Sequence, residues 1–367
     1  MNAARLTVAL WLAAACSAEF EPAVEELVGR LPSQVAAPAA NPTRPQTVEL
    51  GRLLFWDPIL SGERDVACAT CHHPDFAYGD GLEVSVGVGG HGLGPERARS
   101  ENALRTPRNS QTVLGSGWNG LTSTSSPPPE DAPMFWDHRV TSLELQALEP
   151  IKSDVEMRGT GYSEDTILDE VVGRLAANQE YRERFAAAFG SGSDGGVSAS
   201  NLARALAAFQ RTLVPTNSSF DRYMAGDDQA MSAAQLRGLR GFLAKGCARC
   251  HSGPMFSDYQ LHELPVPGRP GEPIDDGDGE GRFRTPSLRM VTRTAPYFHN
   301  GTAATLEDVL DFYDALPAIT DPLLEGVEPP IGGGSEDLLL FFEALSDGDF
   351  DRQIPATLPS GLPPAGR

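Results

Sequence analysis

Hydrophobic positions in this chain recur mostly at three- and four-residue spacing, and strand-like alternation is scarce, so the fold is expected to be mainly α. Residues 47–56 predict a helix with Leu50, Leu53 and Leu54 on one face. Thr141-x-x-Glu144 reads as a capping box opening a helical turn over 143–148. Residues 162–189 predict a helix with a break, 190–196 a flexible link, and 198–213 another amphipathic helix. Ser232-x-x-Gln235 predicts a capped helix with Leu236, Leu239 and Phe242 facing inward, ending at Gly246. Residues 305–313 predict one more, with Leu306, Val309, Leu310 and Tyr313 on one face. The rest reads as connection: a Pro/Ala-rich lead-in at 20–45, a glycine-rich loop at 87–94, an exposed proline-rich insert at 122–133, and a domain boundary at 215–219.

Two short runs carry chemistry. Cys68-Ala69-Thr70-Cys71-His72 and Cys247-Ala248-Arg249-Cys250-His251 share the pattern in which two thiolates add to haem vinyl groups and the adjacent His ligates iron. A thioredoxin-like pair would need a βαβ setting that the flanks lack. Zinc knuckles usually lie within tens of residues, whereas 176 separate Cys71 from Cys247. Disulfides of such tight spacing would staple almost nothing. Two covalent c-type haems are therefore expected, with His72 and His251 on the irons. Arg105-Thr106-Pro107 begins 33 residues after His72, and Arg284-Thr285-Pro286 begins 33 after His251. The repeat suggests two cytochrome c-like haem domains related by internal duplication, over 19–215 and 216–350, with a tail at 351–367. Arg105 and Arg284 suit haem propionates, which favour a bidentate cation, with a surface salt bridge as the alternative.

The N-terminus and the charge add a compartment. Arg5, the apolar run 6–15 and Cys16 read as an export segment over 1–18, too short to span a bilayer as a mature helix. Cys16 closes a lipobox-like run and would carry lipid; cleavage after Ala18 would instead leave a soluble periplasmic product. Formal charge is −21, which disfavours nucleic acid and anionic membrane as partners. The acidic run 275–280 reads as a loop, since an EF-hand from Asp276 would place Ser287 where a Glu is needed. His73, His138 and His262 are expected at the surface or in loops; Trp56 and Trp118 are expected in packing, with a role as relay sites the alternative.

Residues 46 to about 345 resemble the bacterial di-haem cytochrome c peroxidase family, including its MauG-like (MbnH-type) branch. The matching runs are Phe135-Trp136-Asp137-x-Arg139, Pro150-Ile-x-x-x-Val-Glu156-Met157, and Ala295-Pro-Tyr-Phe-His299-Asn-Gly301 with Thr305-Leu306-Glu307. The resemblance implies Glu156 as the catalytic carboxylate, Gln146 and Pro150 as pocket residues, and Trp136 as an indole between the haems. It also implies a calcium ion held by Asn109 and the carbonyls of Thr294 and Pro296. The peroxidases place a Met fourteen residues after the His of the P-Y-F-H run; here that position is Tyr313, as in MauG-like enzymes. Taken alone, Tyr313 would simply complete an apolar stripe. The peroxidases also carry a gating His after their S-x-G run. Here Ser85-Val86-Gly87 is followed by Val88, with His91 three residues further on. An open iron at His72 is the favoured expectation, and a His91 gate the alternative.

What the resemblance implies is an enzyme that uses hydrogen peroxide to form a high-valent di-haem state and oxidises a Trp or Tyr of a partner protein. One alternative is a periplasmic cytochrome c peroxidase drawing electrons from a small redox protein. The other is a di-haem electron carrier, in which Glu156 and Gln146 would have no task.

Overall fold

The computed structural model describes Val24 and residues 27–101, 103–191, 196–316 and 335–366. The expected export segment and Cys16 lie outside these residues. The described chain is mainly helical. Its strands are three two-residue or three-residue antiparallel ladders: β1 (Gly90–His91) with β2 (Ala98–Arg99), β3 (Pro133–Met134) with β4 (Val140–Thr141), and β5 (Leu261–Glu263) with β6 (Arg282–Arg284).

The helices gather around two apolar clusters. In the first, α1 (Pro45–Trp56) packs along a later helix, Ala199–Gln210. Pro45 at the start of α1 extends it two residues beyond the apolar pattern, since proline suits a first helical turn. The contact is close because Gly51 has no side chain: a Cβ there would stand 1.9 Å from the Ala205 carbonyl oxygen. After α2 (Cys68–Cys71) come α3 (Leu143–Gln146), α4 (Glu149–Lys152), α5 (Glu164–Ala177), α6 (Gln179–Phe189) and α7 (Ala199–Gln210). Leu54, Phe55, Ile167, Val171, Tyr181, Leu206 and Phe209 fill the space between them.

The second cluster is built on α8 (Ser219–Met224), α9 (Ala233–Ala244), α10 (Leu306–Asp314) and α11 (Ser335–Ala344). Gly238 lets α9 lie against α11, where a Cβ would stand 2.0 Å from the Asp337 carbonyl oxygen. Phe220, Phe242, Phe256 and Phe341 meet mostly edge to face, with ring centroids 5.1 to 6.2 Å apart. Ser232 with Gln235 and Thr305 with Asp308 form capping boxes, each satisfying helix-end N–H groups from short polar side chains.

Some expectations need correcting. The Thr141-x-x-Glu144 box does not form; Thr141 is in β4, and Ser142 is the cap, accepting from the Leu145 N–H. The turn it opens stops at Gln146, and a second one starts at Glu149 with Pro150 in its first turn. His73 and His262 are buried, not surface residues. His73 stacks edge-on to Trp56 at 5.3 Å, and His262 Nε2 lies 2.9 Å from Asp258.

The two ends of the described chain cross over. Val24 and Val28 pack into the second cluster, and the Leu27 carbonyl accepts from Gly253 N–H at 2.7 Å. The expected tail instead lies on the first cluster through Ile354, Leu358, Leu362 and Ala365. Asp351 meets Arg52 at 2.5 Å, and Ser360 Oγ donates to buried Asp57 at 2.8 Å. Tyr181 Oη also donates to Asp57, at 2.5 Å. Tyr181→Phe removes that donor from a buried carboxylate, so the holoprotein should lose about 1–3 kcal/mol in denaturant unfolding, with spectra at both haems unchanged.

Candidate active site

A cavity of about 660 Å³ is lined by residues of both clusters, and both Cys-x-x-Cys-His runs face it. The runs are turned alike: His72 N–H reaches the Cys68 carbonyl at 3.0 Å, and His251 N–H the Cys247 carbonyl at 2.9 Å. Their four cysteines are free of disulfides. His72 Nδ1 lies 3.1 Å from the Tyr78 carbonyl, and His251 Nδ1 lies 3.1 Å from the Phe256 carbonyl. A proton held on Nδ1 in this way leaves the Nε2 lone pair for a metal. Burial pushes both imidazoles below their ordinary range, so both are neutral and able to ligate. Phe55 and Phe242, each four residues after the close-packing glycine of its helix, complete the apolar walls.

Around the first motif the cavity carries Glu156, Gln146 and Pro150. Glu156 sits on a single wide turn, Asp154–Arg158, in which Arg158 N–H reaches back five residues to Ser153 O at 2.9 Å. Such π-type turns re-aim a side chain and recur at functional sites. Burial raises the Glu156 carboxyl above its ordinary range; Arg139 opposes this and Glu149 adds to it. Around the second motif, α10 presents Leu306, Val309, Leu310 and Tyr313 to the cavity, opposite Leu338 and Phe342. Burial holds the Tyr313 phenol well above its ordinary pKa.

Trp136 connects the two sides. Its indole N–H donates to the Asn109 carbonyl at 3.1 Å, and its own carbonyl accepts from Arg284 N–H at 2.7 Å. Arg284 is 7 % exposed, its Nε has no hydrogen-bond partner, and burial disfavours its charge. A buried guanidinium in that state is a place for a carboxylate such as a haem propionate. Arg105 is different: its side chain is exposed and does not line the cavity. The backbone bridge of Arg105 to Val86 buries Thr106 and turns the arginine outward. Two other cations line this side, Arg139 near Glu156 and Arg108, which the sequence reading passed over; Arg108 is the one held across the halves. It binds Asp275 through Nε at 2.6 Å and Nη2 at 2.8 Å, and Asp137 through Nη1 at 2.6 Å. Asp275 thus anchors the acidic loop across the two halves, and Arg108, only three residues after Arg105, was the signal for it.

Asn109, Thr294 and Pro296 all line the cavity. Asn109 Nδ2 donates to the Leu82 carbonyl at 2.9 Å, which directs Oδ1 away from that bond and suits it to a cation. Cys250, Asp258 and His262 place ligand atoms within 4.8 Å of one another, but Cys250 belongs to the attachment motif. The Asp258 carboxylate is the first cause raising His262 above its ordinary range, which makes the imidazole a partner of Asp258.

A helical chain that brings two such motifs, two neutral histidines and a buried acid onto one cavity is a two-haem c-type protein. The comparisons specify it further. The family model for di-haem cytochrome c peroxidase matches residues 45–229. Cytochrome-c peroxidase IdrP1 of Denitromonas iodatirespirans is 36% identical, over 91% of this chain and 89% of that protein. Methylamine utilization protein MauG of Methylorubrum extorquens is also 36% identical, over 77% of this chain and 73% of that protein. The crystal structure of a MauG-like protein associated with microbial copper homeostasis superposes with a TM-score of 0.69 at 28% identity, covering 87% of this chain and 95% of that one. The chain belongs to the di-haem cytochrome c peroxidase family. It is an oxidoreductase that holds two c-type haems and works on hydrogen peroxide with a protein substrate or redox donor. Replacing Cys247 and Cys250 together by alanine is expected to leave one covalent haem, read by intact-protein mass.

Proposed function

We propose that this enzyme is MauG-like: it takes oxidising equivalents from hydrogen peroxide and delivers them to an aromatic side chain of a partner protein. The observation that carries this reading is Tyr313 on the cavity wall beside the second motif. Met255 also lines the cavity, but it adjoins Phe256, whose carbonyl holds the His251 ring, and so belongs to the His251 side. When bound, the haems supply peroxide cleavage and one-electron oxidation. Glu156 takes a proton from the inner peroxide oxygen and returns it to the outer one, a task that suits a carboxyl lifted by burial. Gln146 and Pro150 shape the space beside it. Trp136, bonded to Asn109 and continuous with Arg284, stands where oxidising equivalents cross between the halves. His91 is exposed on β1, outside the cavity, which supports an open position at His72.

The same reading keeps calcium at Asn109, Thr294 and Pro296, the domain division 19–215 and 216–350, and their origin by duplication as proposals. It places the enzyme in the periplasm, with Cys16 lipidated or removed; no described helix is long and apolar enough to cross a membrane. Identity to IdrP1 favours a second reading, a cytochrome c peroxidase fed by a small redox protein. Stopped-flow mixing of the fully oxidised holoprotein with one equivalent of peroxide separates the two. Reaction without prior reduction, with changes at both haems and little turnover of reduced cytochrome c, is expected. A requirement for prior reduction together with rapid cytochrome turnover would overturn the MauG-like reading.

A further inference from the structure

The glycine-rich segment after Ser85 is built as a fixed wall. Its entry is buried: Thr106 N–H donates to Ser85 O and Ser85 N–H to Thr106 Oγ1, both at 2.9 Å, while Ser85 Oγ donates to Asp80 at 2.6 Å. From the far end of the segment Arg97, 7 % exposed, reaches back across it. Nε donates to Val86 O at 2.6 Å, Nη2 to Gly87 O at 2.8 Å and Nη1 to Gly92 O at 2.8 Å. All three bonds go to backbone carbonyls. A guanidinium so placed fixes chain geometry, and its planar fork is a shape that lysine cannot supply.

Two glycines show what the fork holds in place. A Cβ on Gly87 would stand 2.2 Å from Val155 O and 2.3 Å from Glu156 O, so the segment presses directly on the backbone that carries Glu156. A Cβ on Gly90 would stand 2.7 Å from Arg97 Cζ and Nε, so the ladder lies flat on the guanidinium. Next to Gly90, His91 is paired with Ala98 and turned to solvent. The run around it holds Gly87, Gly89, Gly90, Gly92 and Gly94, whose backbone has wide freedom if released. Ser85, six residues before His91, already lines the cavity. An imidazole on so permissive a segment is a competent iron ligand unless it is held out.

We propose that Arg97 is a positioning residue of the peroxide site: its fork to Val86, Gly87 and Gly92 fixes the wall behind Glu156 and keeps His91 out of the cavity. The proposal rests on the open position at His72 argued above.

The test is low-temperature EPR and peroxide stopped-flow on the ferric holoprotein and its variants. The parent should show a high-spin signal from the His72 haem. Arg97→Gln should convert most of it to a low-spin, six-coordinate signal and slow the peroxide reaction to about a tenth or less, in proportion to the fraction left open. Gly90→Ala, which keeps the arginine but displaces its guanidinium, should act in the same direction if Arg97→Gln fails to fold. Adding His91→Ala to either variant should restore the high-spin signal and a faster reaction. High-spin Arg97→Gln and Gly90→Ala variants with parental peroxide rates would overturn the clasp alone. A low-spin signal that survives His91→Ala would also overturn it, by assigning the new ligand elsewhere. A parent already low-spin at both haems would overturn the open site along with it.

Discussion

Replacing Tyr313 by phenylalanine is expected to change the second haem markedly while leaving its attachment and its His251 ligand in place. A phenolate is a hard, anionic donor that favours the oxidised metal, and phenylalanine offers no donor at all. The side chain should fit without strain, because the ring already packs beside Leu310 and Phe312, with 5.5 Å between the Phe312 and Tyr313 centroids. Folding should therefore survive, and both haems should remain attached through their cysteines. The absorption and EPR signature of the His251 haem should change, and its reduction potential should move upward by roughly a hundred millivolts or more, within the ~0.8 V that axial ligation spans. Spectra and potential identical to the parent would remove Tyr313 from the iron and, with it, the basis for the MauG-like reading. Tyr313→Met is the informative companion. A soft thioether favours the reduced metal, so this variant should approach the behaviour of a cytochrome c peroxidase.

The helices were legible because their signals are local. Thr305 with Asp308 and Ser232 with Gln235 cap where their spacing places them, and Leu306, Val309, Leu310 and Tyr313 share one face of α10. The attachment motifs were legible for a similar reason, since each needs only five consecutive residues. What stayed hidden depends on partners far away in sequence. Arg108 reads as a surface cation until Asp275, 167 residues on, is placed against it. His262 reads as a loop residue until Asp258 and Cys250 surround it. Arg105 was assigned by a repeat in spacing, but spacing does not tell which way a side chain points from an extended backbone; there, successive residues face opposite sides. The crossing of the chain ends was equally out of reach, because Val24 and Leu358 carry no mark of which cluster they join.

Glu156→Gln should give the largest kinetic loss. The amide keeps the size and the hydrogen-bonding reach of the carboxyl but cannot take up the proton that must move between the two peroxide oxygens. General acid–base groups of this kind contribute ~10²–10⁴-fold, so the second-order reaction with peroxide should fall by that order. Ferric spectra and thermal stability should stay close to those of the parent. The pH profile separates this role from a merely structural one. Glu156 must be ionised to accept the proton, and burial raises its pKa above the ordinary value near 4.5. The rate should therefore be low in acid and rise with pH through a limb displaced above that value. In Glu156→Gln this limb should vanish, leaving a slow, flat profile; in Glu156→Asp it should persist at a reduced rate. Arg139 opposes the upward shift, so Arg139→Ala should displace the limb to still higher pH without removing it. An unchanged limb in Glu156→Gln would assign the proton transfer to another group lining the cavity.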